Sequence, residues 1–182
     1  MASNATKLGG GYALGMFYHA PKGTALPSYP SEELAAAWTL VGDVTEEGIT
    51  WHTARDYETL KNWALKVKRV MPGTDPESVK VPIMDTTAEV FRVIFGENAV
   101  TTVAADTTHG NVVKVDTSPL NTPDEEAYLF IMKDGDDMIA LGSTGAFISA
   151  VDDVAFKANE GITWNATISG DFELIMDDGQ TT

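Results

Sequence analysis

Histidines are the residues of this chain best suited to catalysis or metal binding, and its three, His19, His52 and His109, lie far apart in the sequence. There is no cysteine and no HExxH pattern, so the sequence offers neither a thiolate nucleophile nor two histidines on one helix face. A zinc site would have to combine scattered histidines with carboxylates. We therefore predict no catalytic and no metal site, and expect each histidine to be hydrogen-bonded or exposed.

Acidic and glycine-rich motifs are the next candidates for ligand binding. The segment Asp134-Gly135-Asp136-Asp137 offers hard oxygen ligands but lacks the register of a calcium loop. Residues 9–15 (GGGYALG) lack the spacing and the preceding strand of a dinucleotide loop. Residues 142–145 (GSTG) are one residue short of a nucleophile elbow. The sequence thus predicts no cofactor and no enzymatic activity.

A basic and aromatic cluster is the most unusual chemical feature of the chain. Four of its twelve Lys and Arg residues fall within nine positions beside Trp63, namely Lys61, Lys66, Lys68 and Arg69. A basic patch on an acidic body suits head-to-tail association with another copy, with Trp63 as an anchor of the contact. A solvated strand edge protected by lysines would have the same composition, so both interpretations stay open.

The net charge of −15 is distributed unevenly along the chain. Residues 1–72 hold seven Lys/Arg and seven Asp/Glu, whereas residues 73–182 hold five and twenty. Such an acidic surface repels phosphate backbones, which argues against tight nucleic-acid binding, although plain solubility explains the acidity equally well. With no cysteine, no signal-peptide pattern and no apolar run near ~20 residues, we expect a soluble protein of a reducing cytosol that contacts no membrane.

Hydrophobic periodicity predicts a mostly β fold with one helix. Period-two alternation suggests strands with one buried face at 49–53, 65–70 and 79–83, and again around 112–115. Further strands are expected at 127–132, 138–141, 147–151, 162–168 and 172–176, separated by turn residues that include Gly142. The pentapeptide EGITW at 47–51 recurs at 160–164, which suggests two equivalent turn-plus-strand entries.

One α-helix is predicted at about 86–95, where Thr86 and Glu89 have the spacing of a capping box and Gly96 can end the helix. The apolar stripe of this segment should pack on the sheet. At 182 residues the chain suits a single domain. The expected architecture is a β-sandwich or barrel (α+β class) with one flanking helix.

The N-terminal segment predicts an extended arm. Pro21, Pro27 and Pro30 keep the backbone extended between residues 19 and 31, and Leu26 and Tyr29 supply apolar side chains that can dock. We therefore divide the chain into a flexible N-terminus with an assembly arm at 1–31 and a single β domain at 32–182.

Four segments together resemble a known family: HAPKGTALP at 19–27, WTLVGDVTEEGI at 38–49, KNW at 61–63 with Arg69, and FRVIFG at 91–96. They are similar to the major tail tube proteins of long-tailed bacteriophages, particularly those that infect actinobacteria. The resemblance spans roughly residues 13–96. The chain departs from the family at Ala64 and Leu65, because glycines commonly follow the tryptophan of that loop.

The resemblance implies a structural virion protein assembled in the host cytoplasm. Its subunits would form hexameric rings that stack into a tail tube around a tape measure protein, in contact with other tail proteins, and DNA would later pass through to the host. The arm and the long loop of the family reach neighbouring subunits, which implies contact roles for the following residues: in the arm Pro21, Gly23, Thr24, Leu26 and Pro27, and in the loop Asp56, Lys61, Trp63, Lys66, Lys68 and Arg69.

A DNA conduit should not bind its cargo, and a bore lined with carboxylates would repel phosphates. Asp134, Asp136 and Asp137 are candidate lumen residues on this argument. The alternative function is a monomeric or adaptor-type virion module with a similar sandwich, such as a decoration or tail-completion protein.

Overall fold

The computed structural model describes residues 10–11, 17–53, 57–72, 76–118, 123–134 and 137–177, and within them the chain is mostly β with one α-helix. The strands are β1 (Gly10–Gly11), β2 (Phe17–Pro21), β3 (Thr39–Gly42), β4 (Thr50–His52), β5 (Tyr57–Lys61), β6 (Val67–Pro72), β7 (Ser78–Ile83), β8 (Val100–Val103), β9 (Val112–Val115), β10 (Glu126–Asp134), β11 (Asp137–Val151), β12 (Trp164–Gly170) and β13 (Glu173–Asp177). The helix α1 is Ala88–Phe95, and a 3-10 turn follows at Glu97–Ala99.

The 15-residue strand β11 organises the main sheet. Its first part, from Met138 to Gly142, lies between β10 and β13, and its second part, from Ala146 to Val151, pairs with β12. The order across the sheet is β3-β2-β10-β11-β12-β7-β4, and all pairings are antiparallel. Two successive stretches of chain, β12 and β13, therefore share one edge of β11.

The sheet curls so that its two ends approach each other. β3 pairs with β2 near one end of the order, yet the chain directly after β3 bonds to β7 near the other end. Val44 bridges to Ile83, and the Met84 N–H donates to the Asp43 carbonyl at 2.9 Å. The ladder of described strands remains open, so the predicted sandwich is confirmed and its barrel alternative is wrong.

The main core lies between the two halves of the curled sheet and α1. Phe17 of β2 stacks on Phe130 of β10 with ring centroids 4.8 Å apart, and Trp164 of β12 meets Phe91 of α1 edge-on at 5.0 Å. The helix adds Val90, which is fully buried. Each large apolar side chain buried in this way contributes roughly 1.5–3 kcal/mol, so the helix and both halves of the sheet stabilise one another.

The helix is confirmed, but its cap lies one residue later than predicted. The Val90 N–H donates to Oγ1 of Thr87 at 3.3 Å, which makes Thr87 the N-cap. Thr86 instead accepts a hydrogen bond from the Trp164 indole at 3.3 Å. At the other end Gly96, with φ 98°, donates its N–H to the Arg92 carbonyl at 2.8 Å.

A second apolar cluster lies on the outer face of the sheet and is covered by residues 22–38. Leu26, Leu34 and Trp38 from this segment pack against Leu129 of β10 and other apolar residues of β2, β10 and β11. The covering segment begins at the end of β2, which is itself a member of the main sheet. The proposed arm therefore docks on its own domain, and the division at residue 31 stays a prediction.

Gly142 was predicted to separate two strands, and this prediction is wrong because β11 continues through it. The glycine serves close packing instead: a Cβ at this position would lie 2.5 Å from Cδ2 of Leu26. The absent side chain thus leaves room for the segment that crosses the sheet.

Both copies of the repeated pentapeptide lead into strands, β4 and β12, and these strands lie on either side of β7. Trp51 of β4 pairs with Val79, and Trp164 of β12 pairs with Ile83. Gly48, with φ 69°, forms the turn before β4.

Two hairpins lie outside the main sheet, β5–β6 and β8–β9. β8 and β9 also contact α1, whereas β5 and β6 make no comparable contact with another element of the described chain. We call residues 57–72 the basic hairpin. The prediction that residues 65–70 bury one face is wrong, because every one of them is exposed.

Candidate assembly surfaces

The tip of the basic hairpin is a compact, hydrogen-bonded turn. The Asn62 N–H donates to the Lys66 carbonyl at 2.9 Å, the Leu65 N–H donates to the Asn62 carbonyl at 2.8 Å, and the Lys66 N–H donates to Asn62 Oδ1 at 2.9 Å. Leu65 has φ 58°, a left-handed conformation that favours glycine. Leu65 is one of the two positions at which the resemblance implied a glycine, and its backbone has a conformation that glycine adopts readily.

Trp63 stands at this tip with its side chain fully exposed, at 103% of the reference area. An exposed tryptophan on an ordered turn is a typical anchor for a protein contact, because its large apolar surface is free to be buried by a partner. The structure therefore presents the predicted anchor at the most accessible point of the basic hairpin.

The four predicted cations Lys61, Lys66, Lys68 and Arg69 are brought together on this one hairpin and are all exposed. None of them forms an ion pair with another described residue. Asp56, the remaining predicted loop residue, lies outside the described residues. The basic hairpin thus carries uncompensated positive charge on an otherwise acidic chain.

The predicted arm residues hold the chain against its own sheet. The Gly23 N–H donates to the Thr144 carbonyl at 2.7 Å, and Gly23 has φ 83°. Thr24 caps this turn by donating its hydroxyl to the Pro21 carbonyl at 2.6 Å. Pro27 is buried and Leu26 is half-buried, while Pro21 and Gly23 remain exposed. Contact of this exposed surface with a neighbouring copy stays a prediction.

Two of the three candidate lumen acids, Asp134 and Asp137, lie at the end of the β10–β11 ladder. Asp134 and Asp137 are cross-strand partners at its last described pair, and Asp136 lies outside the described residues. The strands that carry Asp134 and Asp137, β10 and β11, both belong to the main sheet.

A histidine between two glutamates is the polar cluster that the sequence did not reveal. His19 of β2 bonds through Nδ1 to Glu126 of β10 at 2.9 Å and through Nε2 to Glu89 of α1 at 2.8 Å. Glu89 also accepts from Arg92 at 2.8 Å. The three residues lie on three elements and are up to 107 positions apart, so no local motif could have shown them.

The electrostatics of this cluster favour its charged state. Burial lowers the pKa of His19, but the hydrogen bonds and the attraction of Glu126 and Glu89 outweigh burial and raise the pKa above 6.5. Burial raises the pKa of Glu89, but its bonds to His19 and Arg92 prevail, so the pKa lies below 4.5. His52 and His109 are exposed, as predicted.

The described residues contain no group of three or more histidine and acidic side chains that could hold a metal ion. No helix among them is long and apolar enough to cross a membrane.

Comparison with known proteins gives a family match. A sequence model of the family described as phage tail tube protein matches residues 1–168, which is most of the chain. No curated protein matches the chain.

Proposed function

This chain belongs to the phage tail tube protein family, and on that premise we propose that its copies form hexameric rings that stack into the tube through which DNA reaches the host. The role is structural, and the protein is a component of the virion tail that assembles with itself and with other tail proteins. The tail is of the long-tailed type, its phage infects an actinobacterium, and the tape measure protein fills the bore before ejection. Assembly takes place in the host cytoplasm, and the protein catalyses no reaction.

The observation that carries this proposal is the exposed basic hairpin. An isolated two-stranded hairpin is marginally stable in water. Here it also exposes large apolar side chains, with Tyr57 at 69% and Leu65 at 78% of their reference areas. Contact with another subunit would bury these side chains and pair the four cations with acids of the neighbour. In this proposal the exposed surface of the arm, around Pro21 and Gly23, provides a second contact.

Reversing charge on the basic hairpin should block polymerisation. We expect Lys66→Glu with Lys68→Glu to weaken subunit association by about ten-fold or more, which corresponds to about 1.4 kcal/mol lost per contact, and so to reduce tube growth at a given protein concentration. Light scattering of the purified protein measures the growth, and wild-type growth should itself weaken as salt is raised.

A matched control is Lys80→Glu with Lys114→Glu, because both lysines are exposed and lie outside the basic hairpin. This control changes the net charge equally and should polymerise like the wild type. Equal polymerisation of all three proteins would mean that the cluster is only a solvated surface.

The bore of the tube should be negatively charged. We infer that part of the acidic excess after residue 73, including Asp134, Asp136 and Asp137, faces the channel, where it repels DNA and lets it slide. An electron-microscopy reconstruction of the tube measures the sign of the bore. A neutral or basic lining would contradict this part of the proposal.

A further inference from the structure

We propose that the basic hairpin of one copy inserts into an acidic cleft on a neighbouring copy. The acidic cleft is formed where the end of β2, the start of β3, the 3-10 turn and residues 124–126 meet. This inference rests on the proposed function, since it names the surface that receives the basic hairpin during assembly.

The distribution of apolar side chains on the basic hairpin favours insertion over flat contact. Leu60 pairs with Arg69 and Val70 pairs with Thr59, so Leu60 and Val70 point to opposite faces of the hairpin. Both are more than half exposed, at 56% and 55%. A flat surface on the neighbouring copy would cover only one face of the hairpin, whereas the two walls of a cleft would cover both. The exposed Trp63 at the tip of the hairpin would enter the cleft first.

The acidic cleft has the size and the lining to receive such a tip. Its volume is about 570 Å³, and exposed Pro21, Ala37 and Thr39 line its wall. Short side chains of this kind leave room for an indole ring. His19 lies in the same cleft, already bonded to Glu126, so the base of the cleft is held by interactions within the subunit.

Charge complementarity selects this cleft as the partner. The basic hairpin has four cations and one acid, Glu58. The acidic cleft contains Glu97, Asp124, Glu125 and Glu126. Within the subunit Lys22 pairs with Glu125, Arg92 lies 3.6 Å from Glu97, and His19 bonds to Glu126. Asp124 is exposed and makes no ion pair with a described residue, so it is available to a lysine of the neighbour.

Two other cavities offer a poorer match to a basic ligand. The groove beside β13, of about 500 Å³, has Glu173 as its single charged residue. The cavity beside the end of α1, of about 430 Å³, is lined by no charged residue. Neither would compensate the charge of the basic hairpin.

Cross-linking tests the docking directly, and the absence of native cysteine makes the result specific. The variant Ala64→Cys with Asn98→Cys places one thiol at the tip of the basic hairpin and one in the acidic cleft. In assembled protein a short bismaleimide reagent should join copies into a covalent ladder on a denaturing gel. The control Ala64→Cys with Asp153→Cys keeps the first thiol and moves the second to an exposed site outside the cleft, and it should give no ladder.

A charge swap provides an independent measurement if the cysteines disturb assembly. Asp124→Lys should slow polymerisation about ten-fold, and adding Lys66→Glu with Lys68→Glu should restore it, whereas Asp153→Lys should have no effect. Tubes that form without a ladder above the control, or a swap that restores nothing, would overturn the docking and leave the proposed function intact. A wild-type chain that never assembles would contradict both.

Discussion

At the scale of single residues, the charge state of His19 affects how three elements of the fold are hydrogen-bonded to one another. His19 joins β2 to α1 through Glu89 and to β10 through Glu126, directly before the segment that crosses the outer face. A protonated imidazole donates to both carboxylates, whereas a neutral imidazole can donate to one and leaves the other facing a lone pair. The charge of the imidazole therefore decides whether His19 can donate a hydrogen bond to both α1 and β10.

The hydrogen bonds of His19 to Glu89 and Glu126 predict that the stability of the fold depends on pH. Because the pKa of His19 is raised in the fold, its contribution is complete below about 6.5 and is lost as the pH rises through the raised value. Glu89 behaves oppositely: its pKa is lowered, so its contribution is present above about 4.5 and is lost as the pH falls through the lowered value. We expect His19→Gln to lower the melting temperature at pH 6 by about 2–4 °C, equivalent to about 1 kcal/mol.

Circular dichroism melting curves between pH 6 and pH 9 measure the effect. The difference between wild type and His19→Gln should shrink as the pH rises. His52→Gln, at an exposed histidine, should melt like the wild type throughout. A His19→Gln difference that stays constant over this range would show that the imidazole contributes by packing and not by its charge.

At the scale of elements, the packing of residues 22–38 on the sheet depends on a missing side chain. Leu26 occupies the space above Gly142, so the strand β11 and the crossing segment approach more closely there than any larger residue would allow. The contact joins two segments more than a hundred positions apart in the sequence. It fixes the start of the crossing segment against the body of the domain.

We expect Gly142→Ala to destabilise the fold by about 1–3 kcal/mol, because the added methyl overpacks this contact. Gly161→Ala is the matched control, since a Cβ at Gly161 meets no atom within 4 Å, and it should be nearly neutral. Chemical denaturation measures both. Shortening the opposing side chain with Leu26→Ala should make the Gly142→Ala substitution less costly, and full additivity of the two changes would contradict the proposed packing.

Sequence patterns predicted the elements best where burial and periodicity agree. Val79, Val81 and Ile83 alternate and are all buried in β7, as expected. The same period at 65–70 led to a wrong prediction of a buried face, because alternation reports strand geometry and not whether a partner covers the strand. Gly142 was predicted to lie in a turn, but glycine also occurs inside strands where another segment packs closely, and the sequence alone does not distinguish the two cases.

At the scale of the whole molecule, the uneven distribution of charge along the sequence places a basic and an acidic surface at different parts of the fold. The cations clustered in the sequence form the exposed basic hairpin, and acids distant in sequence, such as Glu97 and Asp124, meet in the acidic cleft. The sequence could predict the basic hairpin, because residues that are close in the sequence remain close in the fold. The sequence could not predict the acidic cleft, because the cleft exists only after β2, β3 and β10 have been brought together in the fold.

A tail tube protein works as an assembly of many copies. The family match, the sandwich and the exposed basic hairpin agree on a protein that completes its surfaces by assembly. In the proposed assembly, contacts between copies would bury the exposed Trp63 and would pair the four cations of the basic hairpin, which form no ion pair with a described residue.

Negative-stain electron microscopy of the purified chain tests this account most directly. We expect tubes, or rings with six-fold symmetry, at low salt, and shorter assemblies as salt is raised. Persistent monomers under all these conditions would contradict it and would favour a monomeric or adaptor-type virion module instead.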